Sequence, residues 1–496
     1  MSISPFVTSS ATFLLITNYF LELNFRTKLK KLINNRGLIL FLFLFFIPVI
    51  FLFNTENIHT GSEIVRIKLS ILAIPLIVGT SNFLNKKQIN IILLCFIAGI
   101  FAQTCLSIIT YYNSDEKIIN IREIVPGIIG HIRLSLMICM AILIIMYWIY
   151  TKTIHKKSLV FLSIILIFWL MYFTAFIEAF TGLSILCINI FCILIYLVYI
   201  QKNRMLKKIY FSITTIFTAT ILIYVAIQIK IFYTPTVQQN QNILTKKGHV
   251  YQNDFGSYYL ENGNYVFRDI CYEELREDWN KRSKIKFIDR DLNNNTISIT
   301  IIRYLTSKGL AKDAEGLAQL TNTDIKNIEK GESNYKYANS HGLNKRIYTT
   351  IHEIDMYIKT GDANGRSLAQ RLEYYKIGHL IFLENLWFGT GTGDIRDEYR
   401  NMYTKTSSSL LPKYRLEDTH NQFLTFFISF GIIGGIICVL AWFVPVFINS
   451  NAKNYYFAVF FITATLAMFS DNTLERIAAV LFVVFFYSIF LWNRKI

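Results

Sequence analysis

Acidic residues are scarce in this chain. Across 496 residues there are 33 Asp and Glu against 50 Lys and Arg, a net charge of +17. Six short segments lack acids altogether: 24–36, 85–88, 151–157, 201–208, 448–454 and 493–496. They hold five, two, three, four, one and two basic residues, which accounts for the whole excess. Charge confined in this way to short loops is the signature of cytoplasmic membrane loops and not of a nucleic-acid-binding face. Charged residues are 17% of the chain, against about 25% in average globular proteins. A disulfide framework is excluded too. Of seven cysteines, only Cys271 lies outside an apolar run, and a single cysteine cannot close a bridge within its loop. There is no CxxC, no internal repeat and no metal-ligand spacing, so neither a metal nor another cofactor is expected.

What the sequence has in abundance is apolar runs. Gly37–Phe53 reads GLILFLFLFFIPVIFLF, and Ser158–Phe176 and Leu206–Ile231 are similar. Such runs approach the roughly 20 residues needed to cross a bilayer. Spans are predicted at 5–22, 37–53, 64–83, 89–112, 126–150, 158–177, 181–200, 208–232, 420–447, 455–470 and 475–492. The fold class that follows is an all-α polytopic membrane protein of about 11 (10–12) transmembrane helices. Every basic segment follows an alternate span, which places 54–63, 113–125, 233–419 and 471–474 outside. The uncharged N-terminus tolerates an outside position, and an even span count with an inside N-terminus stays open. Three parts result: an N-terminal bundle of about eight spans (1–232), a loop domain (233–419) and about three C-terminal spans (420–496).

The loop opens on an Asn/Gln/Tyr-rich stretch and then turns helical. Helices are predicted at 271–280, 296–306, from a Thr321 or Thr323 cap through Lys330, at 345–359, and from a Ser367 cap to a stop at Gly389. A structureless loop of this length would be exceptional, so a folded cap is expected.

Four features could carry chemistry. His420 stands where polar sequence turns apolar, eleven residues before Gly431. On a continuous helix that is about three turns, roughly 16 Å along one face. Gly431, Gly434 and Gly435 would let another helix approach closely. An imidazole here either serves as a general base or caps and anchors the span. Arg371 precedes an apolar stretch. It is either a planar phosphate-binding cation or a solvated helix arginine. Arg133, beside His131 and inside an apolar run, is either functional or snorkels to the interface, as an ionised group at that depth is costly. Gly389, Gly391, Gly393 and Asp394 in GTGTGD form either an anion-binding nest or a helix-ending turn. No Lys-Ser/Thr follows and no strand precedes, so it is neither a P-loop nor a dinucleotide fingerprint. Arg66 and Lys68, at the outer end of a span, are expected to face headgroups.

Taken together, these pieces resemble the O-antigen ligase and polymerase family of bacterial inner membranes. The resemblance rests on His420 followed by ten residues and Gly431, on Arg371 opening a helix that runs to ENLWFGTGTGD, on His420-Asn421, and on IRYLTSKGLAKDAEGLAQLT in the loop. It implies a metal-independent inverting glycosyltransferase with a large periplasmic loop. The donor would be an undecaprenyl-diphosphate-linked glycan, and the acceptor a hydroxyl on lipid A–core, another glycan or a protein. A ligase and a polymerase both fit. Mid-membrane charges and paired broken helices, which would mark a transporter, are not apparent. The resemblance makes His420 catalytic and Arg371 a diphosphate ligand, with Asn421, Gly431, Gly389, Gly391, Gly393 and Asp394 as motif residues. Relatives carry an arginine where this chain has Phe180, after Glu178. Arg133 is the candidate replacement, with Arg303 and Arg366 behind it.

Overall fold

The computed structural model describes residues 5–81, 84–113, 121–125, 130–234, 243–254, 256, 259–338, 343–416 and 418–493. The Asn/Gln-rich opening of the loop (235–242), the start of the fifth predicted span (126–129) and most of the last basic segment (494–496) lie outside them. Nine helices come first: α1 (Pro5–Leu21), α2 (Phe25–Ile33), α3 (Arg36–Ile50), α4 (Ile58–Thr80), α5 (Lys86–Asn113), α6 (Gly130–Tyr150), α7 (Lys157–Phe176), α8 (Phe180–Ile200) and α9 (Arg204–Tyr233). The loop domain adds a small hairpin, β1 (Leu260–Glu261) with β2 (Asn264–Tyr265). It also holds α10 (Tyr272–Arg282), α11 (Ile297–Ser307), α12 (Ala314–Ala318), α13 (Asn322–Glu329), α14 (Leu343–Thr360), α15 (Ser367–Glu384) and α16 (Ile395–Lys405). The chain ends on α17 (Gln422–Ile448), α18 (Tyr455–Met468) and α19 (Ile477–Trp492).

Among the described residues seven helices are long and apolar enough to cross a membrane: α3 with the 3-10 turn continuing it, α5 to α9, and α17. Residues 10–21 of α1, and α18 and α19, are shorter apolar helices. Helix α4, which carries Glu63, Arg66 and Lys68, occupies the remaining predicted span, so seven of the eleven predicted spans are helices of crossing length and apolarity. The protein is an all-α polytopic membrane protein. One difference is α2, a helix inside the first basic segment, with Lys28 buried and paired to Glu22 at 3.0 Å.

A helix that is apolar on all sides must meet either protein or lipid everywhere. The two outcomes separate cleanly here. Helix α6 is the hub, packed by α5, α7, α8 and α18 and buried from Leu134 through Ile145. In α9 only Phe232 is buried, as expected of a lipid-facing helix. At 30 residues α9 is about 45 Å long, well beyond the roughly 30 Å hydrocarbon layer. Its far end enters the loop domain, where Tyr233 Oη donates to Asp355 Oδ1 of α14 at 2.9 Å.

The loop domain has a core of its own, built on Leu275, Trp279, Ile301, Tyr304, Leu305 and Leu317. Thr321 starts α13 in a reciprocal capping box with Asp324. A second cluster, with Tyr374, Ile377, Ile381, Tyr399 and Tyr403, includes Ile428 of α17 and so fuses the domain to the membrane bundle. The expected Ser367 cap is replaced. Glu353, projecting from α14, accepts from the Leu368 N–H at 3.0 Å and does the capping from outside. Helix α15 also stops at Glu384, five residues short of Gly389, because the chain beyond it pairs with α17.

Candidate active site

His420 is not the first residue of a helix but the third of a tight turn, Asp418-Thr419-His420-Asn421. Asp418 Oδ1 accepts from the His420 N–H at 2.9 Å, and Thr419 Oγ1 accepts from the Asn421 N–H at 2.9 Å. Asn421 Oδ1 then caps α17 by accepting from Phe423 and Leu424 at 3.0 and 3.1 Å. Capping thus belongs to Asn421, which frees the imidazole. His420 has φ 49, a left-handed conformation that costs a non-glycine residue about 1 kcal/mol or more and persists only where surroundings enforce it.

The turn is held by the short connection between α18 and α19. Asn472 donates to Asp418 and accepts from Thr419 Oγ1 at 3.0 Å. Gln422 Oε1 accepts from the Leu474 N–H at 2.7 Å, while its Nε2 donates to Glu475 at 3.0 Å. Glu475 in turn pairs with Lys68 of α4 at 2.6 Å. Lys68 is therefore buried, not facing headgroups as its position had implied. Arg66 does point outward, beside Glu63. The neighbouring Asp471 takes Arg133 Nη2 on Oδ2 at 3.2 Å and has Oδ1 3.9 Å from His420 Nδ1. Asp471 thereby joins a histidine and an arginine that are 287 positions apart in the sequence.

Helix α15 covers the imidazole. The Tyr374 ring lies 5.9 Å from that of His420, and Tyr375 Oη donates to the Phe469 carbonyl at 3.1 Å. Arg371 is one turn earlier on the same face. Among the described residues it makes no hydrogen bond or ion pair, yet its charge is felt at His420. Burial lowers the His420 pKa below its ordinary value. Arg371 and Arg476 push the same way, and Asp418 and Asp471 oppose them. Burial raises the Asp418 pKa, with His420 as the main opposing charge. The side chain of His420 is 26% exposed. Its Nδ1 is buried towards Asp471 with no hydrogen bond, which leaves Nε2 as the nitrogen that can meet a substrate.

Gly431 has a different role from the one its spacing suggests. Its backbone (φ 60, ψ −165) breaks α17, so His420 and Gly431 are not joined by one continuous helix. The break frees the carbonyls of Ile428 and Ser429, which accept from the N–H groups of Thr390 and Gly391 at 2.9 Å each. The Ile432 N–H donates back to Leu386 O at 2.8 Å. A Cβ on Gly431 would collide with the Trp387 carbonyl, and one on Gly389 with the backbone of 428–431. The GTGTGD segment is thus a backbone clasp and not an anion nest. It continues to the start of α4, where Asp394 accepts from the N–H groups of Glu56 and Asn57 at 2.8 Å each. Thr392 Oγ1 meanwhile donates to Pro48 O at 2.6 Å.

The remaining predicted residues are dispersed. Arg303 sits in the loop domain, where its Nε and Nη2 both reach the fully buried Glu261 at 2.9 Å. Arg366 pairs with Asp362 at 2.8 Å. Neither joins His420. Phe180 opens α8, and Gly182 two residues later packs on Ser135 of α6. The position of the absent arginine and Arg133 therefore lie on adjoining helices at the same end. One group of metal-type donors converges among the described residues. His249, Cys271 and Glu274 bring one ligand atom each within 4.8 Å of one another, which sequence spacing did not reveal. Glu274 is already engaged there by Thr245, His249 and the Ala314 N–H.

Asp471, Asn472, Glu475 and Asp418 went unmarked in the sequence. The available signal was the crowding of polar residues into one short turn between two apolar helices. Residues 339–439 match the family model described as O-antigen ligase. That stretch holds Arg371, the glycine clasp, His420 and Gly431, and the match supports the O-antigen ligase/polymerase family and that type of function. No curated protein matches the chain.

Proposed function

We propose that this chain transfers a glycan from an undecaprenyl-diphosphate donor to an acceptor hydroxyl at the periplasmic face of the bacterial inner membrane, as an O-antigen ligase does. The observation that carries this reading is the convergence of a largely buried His420 imidazole, Asp471 behind it, and two arginines of opposite situation. Arg371 is unengaged among the described residues, and Arg133 is anchored.

Each group has a task. The donor lies in the bilayer with its diphosphate at the headgroup layer, where Arg371 and Arg133 neutralise it. His420 Nε2 takes the acceptor proton as that oxygen forms a bond to the anomeric carbon. The carbon–oxygen bond to the diphosphate breaks, and its electron pair leaves with the polyprenyl diphosphate. A single displacement inverts the anomeric centre. The new imidazolium Nδ1–H faces Asp471, which stabilises it. Helix α15 excludes water that would otherwise hydrolyse the donor. Preorganised cations at a leaving group are usually the largest single contribution to such a rate. No metal has a part in this scheme.

The test is reconstitution in liposomes with one labelled lipid-linked glycan. Label passing to lipid A–core or another distinct acceptor supports a ligase. Ladders growing on the lipid indicate a polymerase on the same site. Wild-type transfer by His420→Ala would refute the base assignment.

A further inference from the structure

Apart from the His420 site, the loop domain contains a cavity of about 250 Å³ between α11, α14 and the β1–β2 hairpin. It lies just below the roughly 300–1,000 Å³ of typical small-molecule sites, so it would take a ligand of one or two rings. Its lining is mixed. Tyr259 and Phe267 stand edge to face at 5.7 Å and offer apolar surface. Ser333 contributes a hydroxyl, and Arg303, Arg366 and His352 supply charge and nitrogen donors.

The polar groups are only partly used by the protein. Arg303 spends Nε and Nη2 on Glu261, which leaves Nη1 without a hydrogen bond. Arg366 spends Nη1 on Asp362, which leaves Nη2. Asp355, the acid on the wall, has its two oxygens taken by Tyr233 and Lys359. His352 makes no hydrogen bond among the described residues and lies beside the rings of Phe232 and Tyr348. Burial, then Arg303, Arg366 and Lys359, hold its pKa well below the ordinary imidazole value. Each of these cations has its own carboxylate, Glu261, Asp362 or Asp355, so what the cavity offers is the remaining planar guanidinium edges beside aromatic carbon. Guanidinium edges suit a carboxylate, and aromatic faces suit the apolar side of a sugar ring.

We propose that this cavity binds a single acidic sugar residue of the uronate class, its carboxylate on Arg303 and Arg366 and its ring against Tyr259 and Phe267. Binding here involves no transfer step, so the site stands or falls separately from the His420 chemistry.

The experiment is a titration of the purified full-length protein in detergent with methyl β-D-glucuronide, followed by ligand-observed NMR. Saturable binding is expected, at least tenfold tighter than for methyl β-D-glucoside. Arg366→Gln should weaken it at least tenfold. Ser333→Phe, which fills the cavity without touching either ion pair, should do the same, and the thermal midpoint of each variant checks its fold. Absence of saturable binding, equal binding of the neutral glucoside, equal displacement by inorganic phosphate, or unchanged affinity in a folded variant would each overturn the proposal.

Discussion

Asp471 stands between Arg133 and His420, 3.2 Å from the guanidinium through Oδ2 and 3.9 Å from imidazole Nδ1 through Oδ1. One carboxylate therefore acts on both the cation proposed for the diphosphate and the proposed base. Its distance to Nδ1 is too long for a hydrogen bond.

The first prediction concerns pH. A base must be unprotonated, and burial keeps His420 so below the ordinary histidine value of about 6.5. The acid limb of transfer activity should therefore fall below that value. Asp471→Asn removes an anion that favours the imidazolium, so the limb should move further towards acid while the maximal rate drops. A limb moving upward in that variant would contradict the arrangement. The measurement is initial rate against pH at saturating donor.

Arg371 and His420 should separate activity from stability. Arg371 has no protein partner among the described residues to lose, so Arg371→Ala should leave the thermal midpoint within a degree or two while transfer collapses. Arg371→Lys should recover only a minor part, since an ammonium lacks the planar fork. His420→Ala should cost about 10²–10⁴-fold in rate, the usual contribution of a positioned base. Rates and melting curves on the same preparations check both.

The clasp predicts a destabilisation unrelated to chemistry. Gly431→Ala puts a Cβ into the Trp387 carbonyl at a backbone conformation that suits glycine. Overpacking and strain of that kind cost about 1–3 kcal/mol. The unfolding midpoint in detergent should fall by several degrees. Gly389→Ala, which strikes the same backbone clasp from the other side, should match it.

Lys68 and Glu475 provide a double-mutant cycle. Lys68 is 2% exposed and Glu475 17%, so Lys68→Met alone strands a carboxylate and Glu475→Gln alone strands an ammonium. Breaking a buried pair on one side typically costs about 3–5 kcal/mol, whereas removing both charges costs much less. The double variant should therefore be more stable than either single one. Additive losses would show that the pair is not coupled.

Much of this could be read from the chain. Hydropathy and the basic segments mark the spans, because lipid forces each crossing to be a continuous apolar helix. The loop helices α10, α11, α13 and α14 fall within a few residues of their predicted places, since caps and periodicity are local signals. Pairwise geometry was not local. Asp471 and Lys68 look like ordinary loop and interface charges until α4, α6, α17 and the α18–α19 turn are brought together. Gly431 announced closeness to a neighbour but not that the neighbour would be a strand-like backbone inserted into a broken helix. Arg303 looked like a spare cation because its partner, Glu261, lies 42 residues away across a hairpin.

The break in α17 also has a mechanical consequence. Thr390 and Gly391 share their hydrogen bonds with carbonyls in the middle of that helix, and Asp394 grips the start of α4. Residues 386–394 are thus stitched to two membrane helices at once, like a rivet through two plates. Force on this end of the loop domain is transmitted directly into the bundle instead of bending a hinge. The other tie between the loop domain and the bundle is of a different kind: α9 packs along α8 and reaches α14 through side chains, with Tyr233 on Asp355, and not through shared backbone hydrogen bonds.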